Sequence, residues 1–110
     1  MVTELCRTPE PLPDLQAGPY ELSLARVTLP AGTPADPPYI RSGAALNYVL
    51  AGTGLFTAEG KTEPRTAGMS DFEPYGLVHQ WANPGDAPLV LLQASLSQEG
   101  IPAVLPPSPK

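Results

Sequence analysis

His79 is the only histidine in the 110-residue chain. Imidazole is the side chain most often used as a general acid or base, and a common metal ligand. One imidazole alone cannot hold a transition ion, which usually wants at least three protein donors of N, O or S type. Cys6 is the only cysteine, so neither an intramolecular disulfide nor a cysteine-based zinc site can form. It stands in an irregular stretch far from His79, a poor setting for a nucleophile. Asp71 and Glu73 form a close acidic pair, but they alternate with Phe72 on a short extended segment. That alternation predicts a solvated strand face rather than a catalytic dyad. Gly52-x-Gly54 looks like a fragment of a phosphate loop, yet no helix follows it to supply the amides that phosphate binding needs.

Whatever chemistry these residues do must be positioned by short elements. Sixteen prolines and ten glycines leave little room for long helices, since an interior proline costs a helix about 3 kcal/mol. With 42% hydrophobic and 15% charged residues the chain is apolar enough to fold as one domain. The net charge is −5 and no basic cluster exists. Binding to nucleic acid or to an anionic membrane surface is therefore not expected. No apolar run approaches a membrane span, and Met1 to Cys6 lacks the basic start and apolar stretch of a signal peptide. The expectation is a soluble, cytoplasmic protein.

Residues 1–19, with Pro9, Pro11, Pro13 and Pro19, read as an irregular arm, and residues 102–110 as a proline-rich extended or mobile tail. The body between them, 20–101, alternates between apolar strands and turns. Strands are expected over Tyr20–Leu29, Leu46–Ala51, Leu55–Glu59, Lys61–Arg65, Ser70–Glu73, Leu77–Ala82 and Leu89–Leu96, the last the most apolar and so central. Glu59-Gly60-Lys61 reads as a hairpin turn and Asn83-Pro84-Gly85-Asp86 as a strong turn. The pattern predicts an all-β fold, a sandwich or a small barrel.

One segment narrows this further. Gly68, Pro74, Gly76, His79 and Asn83 stand at the spacing Gly, five residues, Pro, one, Gly, two, His, three, Asn. This resembles the second motif of the cupin superfamily. The first motif of that superfamily (Gly, about five residues, His-x-His, three or four residues, Glu, six residues, Gly) is present only as a skeleton. Gly32 opens it, Gly52 closes it, and Tyr39, Arg41 and Ala45 occupy the positions of the two histidines and the glutamate. Fifteen residues separate Gly52 from Gly68, a short link similar to that of compact cupins. The resemblance spans roughly 20–96 and implies an all-β jelly-roll barrel, a double-stranded β-helix with a ligand pocket in its lumen, often homodimeric. It also implies that three of the four family metal ligands are missing and only His79 remains. No metal and no cofactor are expected.

Strand alternation then sorts the lumen. If His79 points inward, so do Leu77 and Trp81; if Ala45 does, so do Asn47 and Val49. Tyr39 and Arg41 face inward by the logic of the family's His-x-His. An inward Arg41 needs a partner. It either pairs with Asp36, Asp71 or Glu73, or meets water at the mouth, or grips a ligand carboxylate or phosphate. Trp81 is either packing or a stacking surface. The preferred reading is metal-free binding of a small, anionic organic molecule by Arg41, Asn47, Trp81, Tyr39 and His79. A second is an isomerase, epimerase or cyclase in which His79 and Tyr39 form an acid-base pair. A third is a remnant dioxygenase-like site on His79.

Overall fold

A computed structural model describes residues 1–12, 18–35, 37–102 and 104–106. Asp36, one of the expected partners of Arg41, lies outside the described residues. Nine strands follow one another: β1 (Tyr20–Leu29), β2 (Ile40–Arg41), β3 (Ala44–Ala51), β4 (Thr53–Ala58), β5 (Lys61–Thr66), β6 (Ser70–Glu73), β7 (His79–Ala82), β8 (Leu89–Gln98) and β9 (Val104–Leu105). They form an antiparallel four-stranded sheet in the order β1-β8-β3-β6, a three-stranded sheet β5-β4-β7 and the small pair β2-β9. The two larger sheets make the jelly roll. Among the described residues no helix is long and apolar enough to cross a membrane.

The turns form where the sequence supplies the backbone for them. Glu59 and Gly60 both have positive φ, 53° and 77°, as a tight two-residue hairpin between right-twisted strands requires. At Gly52 φ is 83°, and a Cβ there would strike the carbonyl of Pro88; only glycine allows β3 to turn into β4 so close to the start of β8. Asn83 is fully buried. Its Nδ2 donates to the carbonyls of Leu29 (2.9 Å), Pro30 (3.2 Å) and Ala87 (2.8 Å), while its Oδ1 accepts from Gly85 N at 3.2 Å. One amide thus ties the exit of β1 to the β7–β8 turn.

Strand β8, the most apolar, lies between β1 and β3. Its inward residues Leu89 and Leu91 join Val49, Phe56 and Trp81 in the core. Within the tail, Val104–Leu105 form β9, which pairs with β2 and sets Val104 opposite Arg41.

Candidate functional site

The polar half of the interior is built on the inward faces of β2, β3, β6 and β7. Ala45, Asn47 and Val49 all turn inward and are buried, as alternation requires; so are His79 and Trp81, with Leu77 packed partly against the core. Tyr39 is held against His79 by two backbone hydrogen bonds of 3.0 Å each, and their rings lie 4.2 Å apart. The five side chains expected in the lumen are therefore brought to one place.

What gathers four of them is Glu73, which the sequence analysis assigned to a solvated face. That expectation is overturned: Glu73 has no solvent exposure. Its Oε1 accepts from Arg41 Nε at 2.8 Å. Its Oε2 accepts from Asn47 Nδ2 at 2.6 Å and from Trp81 Nε1 at 3.0 Å. His79 Nε2 stands 2.7 Å from Oε1, ion-pair distance without the alignment of a hydrogen bond. Nδ1 of the same ring lies 2.8 Å from the carbonyl of Leu77, the partner that fixes its orientation. Gln93 Nε2 extends the network by donating to Asn47 Oδ1 at 2.9 Å. Burial alone would raise the Glu73 carboxyl, but His79, Arg41 and Trp81 outweigh it and hold it down at about 2. Of the two anticipated partners of Arg41 that lie among the described residues, Asp71 and Glu73, Glu73 is the one that pairs with it.

The register explains how the carboxylate arrives. Ala45, at the position of the family glutamate, is the direct cross-strand partner of Glu73. The lumen holds an acid, and it comes from β6 rather than β3. An alanine where the resemblance calls for glutamate, beside a neighbouring strand that ends in Glu, was the available signal.

Asp71 shares the inward register with Glu73 and is also largely enclosed, its side chain 11% exposed. Only one oxygen is served: Arg65 donates to Oδ1 at 3.3 Å, and Oδ2 has no partner. Burial pushes its carboxyl up, Arg65 pulls it part of the way back, and the charge on Glu73 adds to the rise. Cys6 is also pushed up, by burial and by Glu4, away from the thiolate that a nucleophile needs.

A cavity of about 440 Å³ opens beside the cluster, lined by Val27, Leu29, Pro37, Tyr39, Arg41, Trp81, Leu91, Gln93 and Val104. Its walls are apolar apart from a few convergent polar groups, the usual make-up of a small-molecule site. Arg41 and Trp81 reach both the cluster and this cavity. His79 and Asn47 stand behind it, and the side chain of His79 has no exposure. A metal ion of the kind many barrels of this type hold does not suit these residues. Among those described, no group of three or more His, Cys, Asp or Glu converges. The closest pair is His79 Nε2 and Glu73 Oε1, and that oxygen already accepts from a guanidinium. Tyr39, Arg41 and Ala45 supply no imidazole or carboxylate at the remaining positions.

The comparisons agree with this architecture. A DMSP lyase from Ruegeria pomeroyi superposes with a TM-score of 0.66 at 24% identity, over 81% of this chain and 45% of that one. A predicted oxalate decarboxylase from Thermotoga maritima gives 0.58 at 28% identity, over 68% and 64% of the two chains. An RmlC-like cupin from Shewanella frigidimarina gives 0.63 at 19%, over 73% and 69%. This chain thus spans less than two thirds of the length of the first two. No curated protein matches it. The cupin domain family model matches residues 25–95, both motifs included, and the chain belongs to that family.

Proposed function

We propose that this barrel binds a small organic anion, with a carboxylate or similar group, in the cavity at its mouth and without a protein-held metal. The observation that carries the reading is the lining of that cavity: among the described residues it holds one cation, Arg41, and no carboxylate. Glu73 ties Arg41 back through Nε. The terminal nitrogens are what a guanidinium so held would offer to a ligand in bidentate fashion. Gln93 and Tyr39 add polar contacts, Trp81 and the aliphatic side chains an apolar wall, while His79 and Asn47 support the cluster from behind. The protein is proposed to act in the cytoplasm and as a homodimer.

The acid-base reading draws less support. Both ring nitrogens of His79 face internal groups, Leu77 O and Glu73, and the ring does not line the mouth cavity. The metal reading meets the donor set described above.

Ligand-observed NMR with benzoate and with benzamide tests the proposal. Benzoate should bind to the wild type and benzamide should not, and Val27→Trp, which fills the cavity, should abolish the signal. Equal binding of acid and amide would remove the role of Arg41. Stoichiometric iron, manganese, nickel or zinc in the purified protein, lost with His79→Ala, would replace this reading with the metal one.

A further inference from the structure

After β8 the chain turns back on the barrel. Gly100 has a φ of 79°, in the left-handed region that glycine enters without strain, and Ile101 N donates to Gln98 O at 3.0 Å. Ser42 Oγ then donates to the carbonyl of Pro102 at 2.6 Å, and Val104 and Leu105 pair with Arg41 and Ile40. Pro102 and Pro106 bracket this short ladder, and neither has an N–H with which to lengthen it. None of the described residues beyond Gly100 carries a charge. Directly paired residues of antiparallel strands have Cβ atoms about 4.5–5.5 Å apart. Val104 thus stands beside Arg41, and both line the mouth cavity.

We infer that the site takes monocarboxylates with an apolar body, and that β9 supplies the wall on which that body rests. The inference rests on the anion-binding reading and names its ligand class. Two features of the lining select this class. The first is charge. The one cation among the described lining residues, Arg41, is held from behind by Glu73 through Nε. Its terminal nitrogens can pair one carboxylate. A second carboxylate on the same molecule would meet mainly carbon, and a charge taken from water without a partner is costly. The second feature is the make-up of the remaining walls. Val27, Leu29, Pro37, Leu91 and Val104 offer aliphatic surface. Trp81 has already given its N–H to Glu73, so it presents carbon to the cavity. An aromatic or aliphatic body gains from such walls in proportion to the area it buries. Val104 is the wall residue that the C-terminal strand contributes. At 44% exposure its side chain can carry a charge without entering the core, which makes the wall open to test.

NMR titration of the full chain with benzoate and with succinate at neutral pH decides the matter. The wild type should bind benzoate roughly tenfold more tightly than succinate. Val104→Glu sets an acid beside Arg41 and should weaken benzoate roughly tenfold. Val104→Lys adds a second cation to the wall and should tighten succinate about threefold. Leu24→Glu, a charge of the same sign on an exposed residue outside the cavity, should leave both affinities as they are. Succinate bound as tightly as benzoate by the wild type would overturn the ligand class. Equal responses to Val104→Glu and Val104→Lys, or a Leu24→Glu variant that loses benzoate as Val104→Glu does, would remove β9 from the wall while anion binding stands. A wild type that binds neither compound would overturn the anion reading beneath, and this inference with it.

Discussion

Asp71 and Glu73 stand two residues apart on one short strand and turn to the same side of the sheet, yet their surroundings push them in opposite directions. Glu73 is the more deeply enclosed of the two, and its carboxyl is held at about 2. Asp71 is slightly less enclosed, and its carboxyl rises. Burial opposes charge in both. The difference is the set of donors: three side-chain hydrogen bonds and an imidazole converge on Glu73, against one long side-chain hydrogen bond from Arg65 and a lesser backbone contribution from Phe72 on Asp71. Enclosure alone therefore does not set the state of a buried acid; the pre-placed donors do.

The comparison breaks most visibly at Glu73. Replacing it with Gln removes the counter-charge of a buried guanidinium and should cost about 3–5 kcal/mol, read by urea denaturation at neutral pH. A loss below about 1 kcal/mol would mean that Arg41 is not relying on this carboxylate. Arg41→Met in the same background removes the orphaned charge, while the Gln oxygen still accepts from Asn47 or Trp81. The double variant should regain more than half of the loss.

Acid titration comes next in size. The Glu73 carboxyl is lower in the folded chain than its ordinary value of 4.5. Its contribution is thus complete above that value and is lost as pH falls from about 4.5 toward 2. The fall should be about 3 kcal/mol, and Glu73→Gln should lack it. An acid limb that is identical in the variant would place the acid sensitivity elsewhere.

Much of this was legible beforehand. The spacing from Gly68 to Asn83 gave the family fold, and alternation on either side of Asn47 and His79 gave the inward set, because a strand has only two faces. What escaped was the inward face of Glu73: it stood among the carboxylates considered for Arg41, yet its own segment was assigned to solvent. A short acidic-aromatic-acidic segment reads as solvated when nothing local says that its neighbouring strand has opened a space, and the space lies across the sheet, opposite Ala45. Pairing of that kind is a property of register, which a single strand's sequence does not carry. The tail was hard to read for a related reason: β9 is only two residues long and exists by virtue of its pairing with β2.

The smallest expected effect is at Asp71, and it sharpens the contrast best. Its carboxyl is raised in the fold, so folding favours the protonated form, and ionisation at neutral pH works against stability. Asp71→Asn removes that burden and also weakens the contact to Arg65, a largely enclosed pair 3.3 Å apart. The two changes oppose each other, and the variant should lie within about 1 kcal/mol of the wild type at neutral pH. The sign of the pH dependence is the discriminating readout. As pH falls through the raised folded value toward the ordinary 3.8, the wild type should gain stability relative to Asp71→Asn, the reverse of what Glu73 does. A loss above about 2 kcal/mol at neutral pH, or a wild type that instead falls behind the variant on acidification, would show that Arg65 alone satisfies Asp71 as fully as the whole cluster satisfies Glu73. Donor number would then not be what separates these two acids.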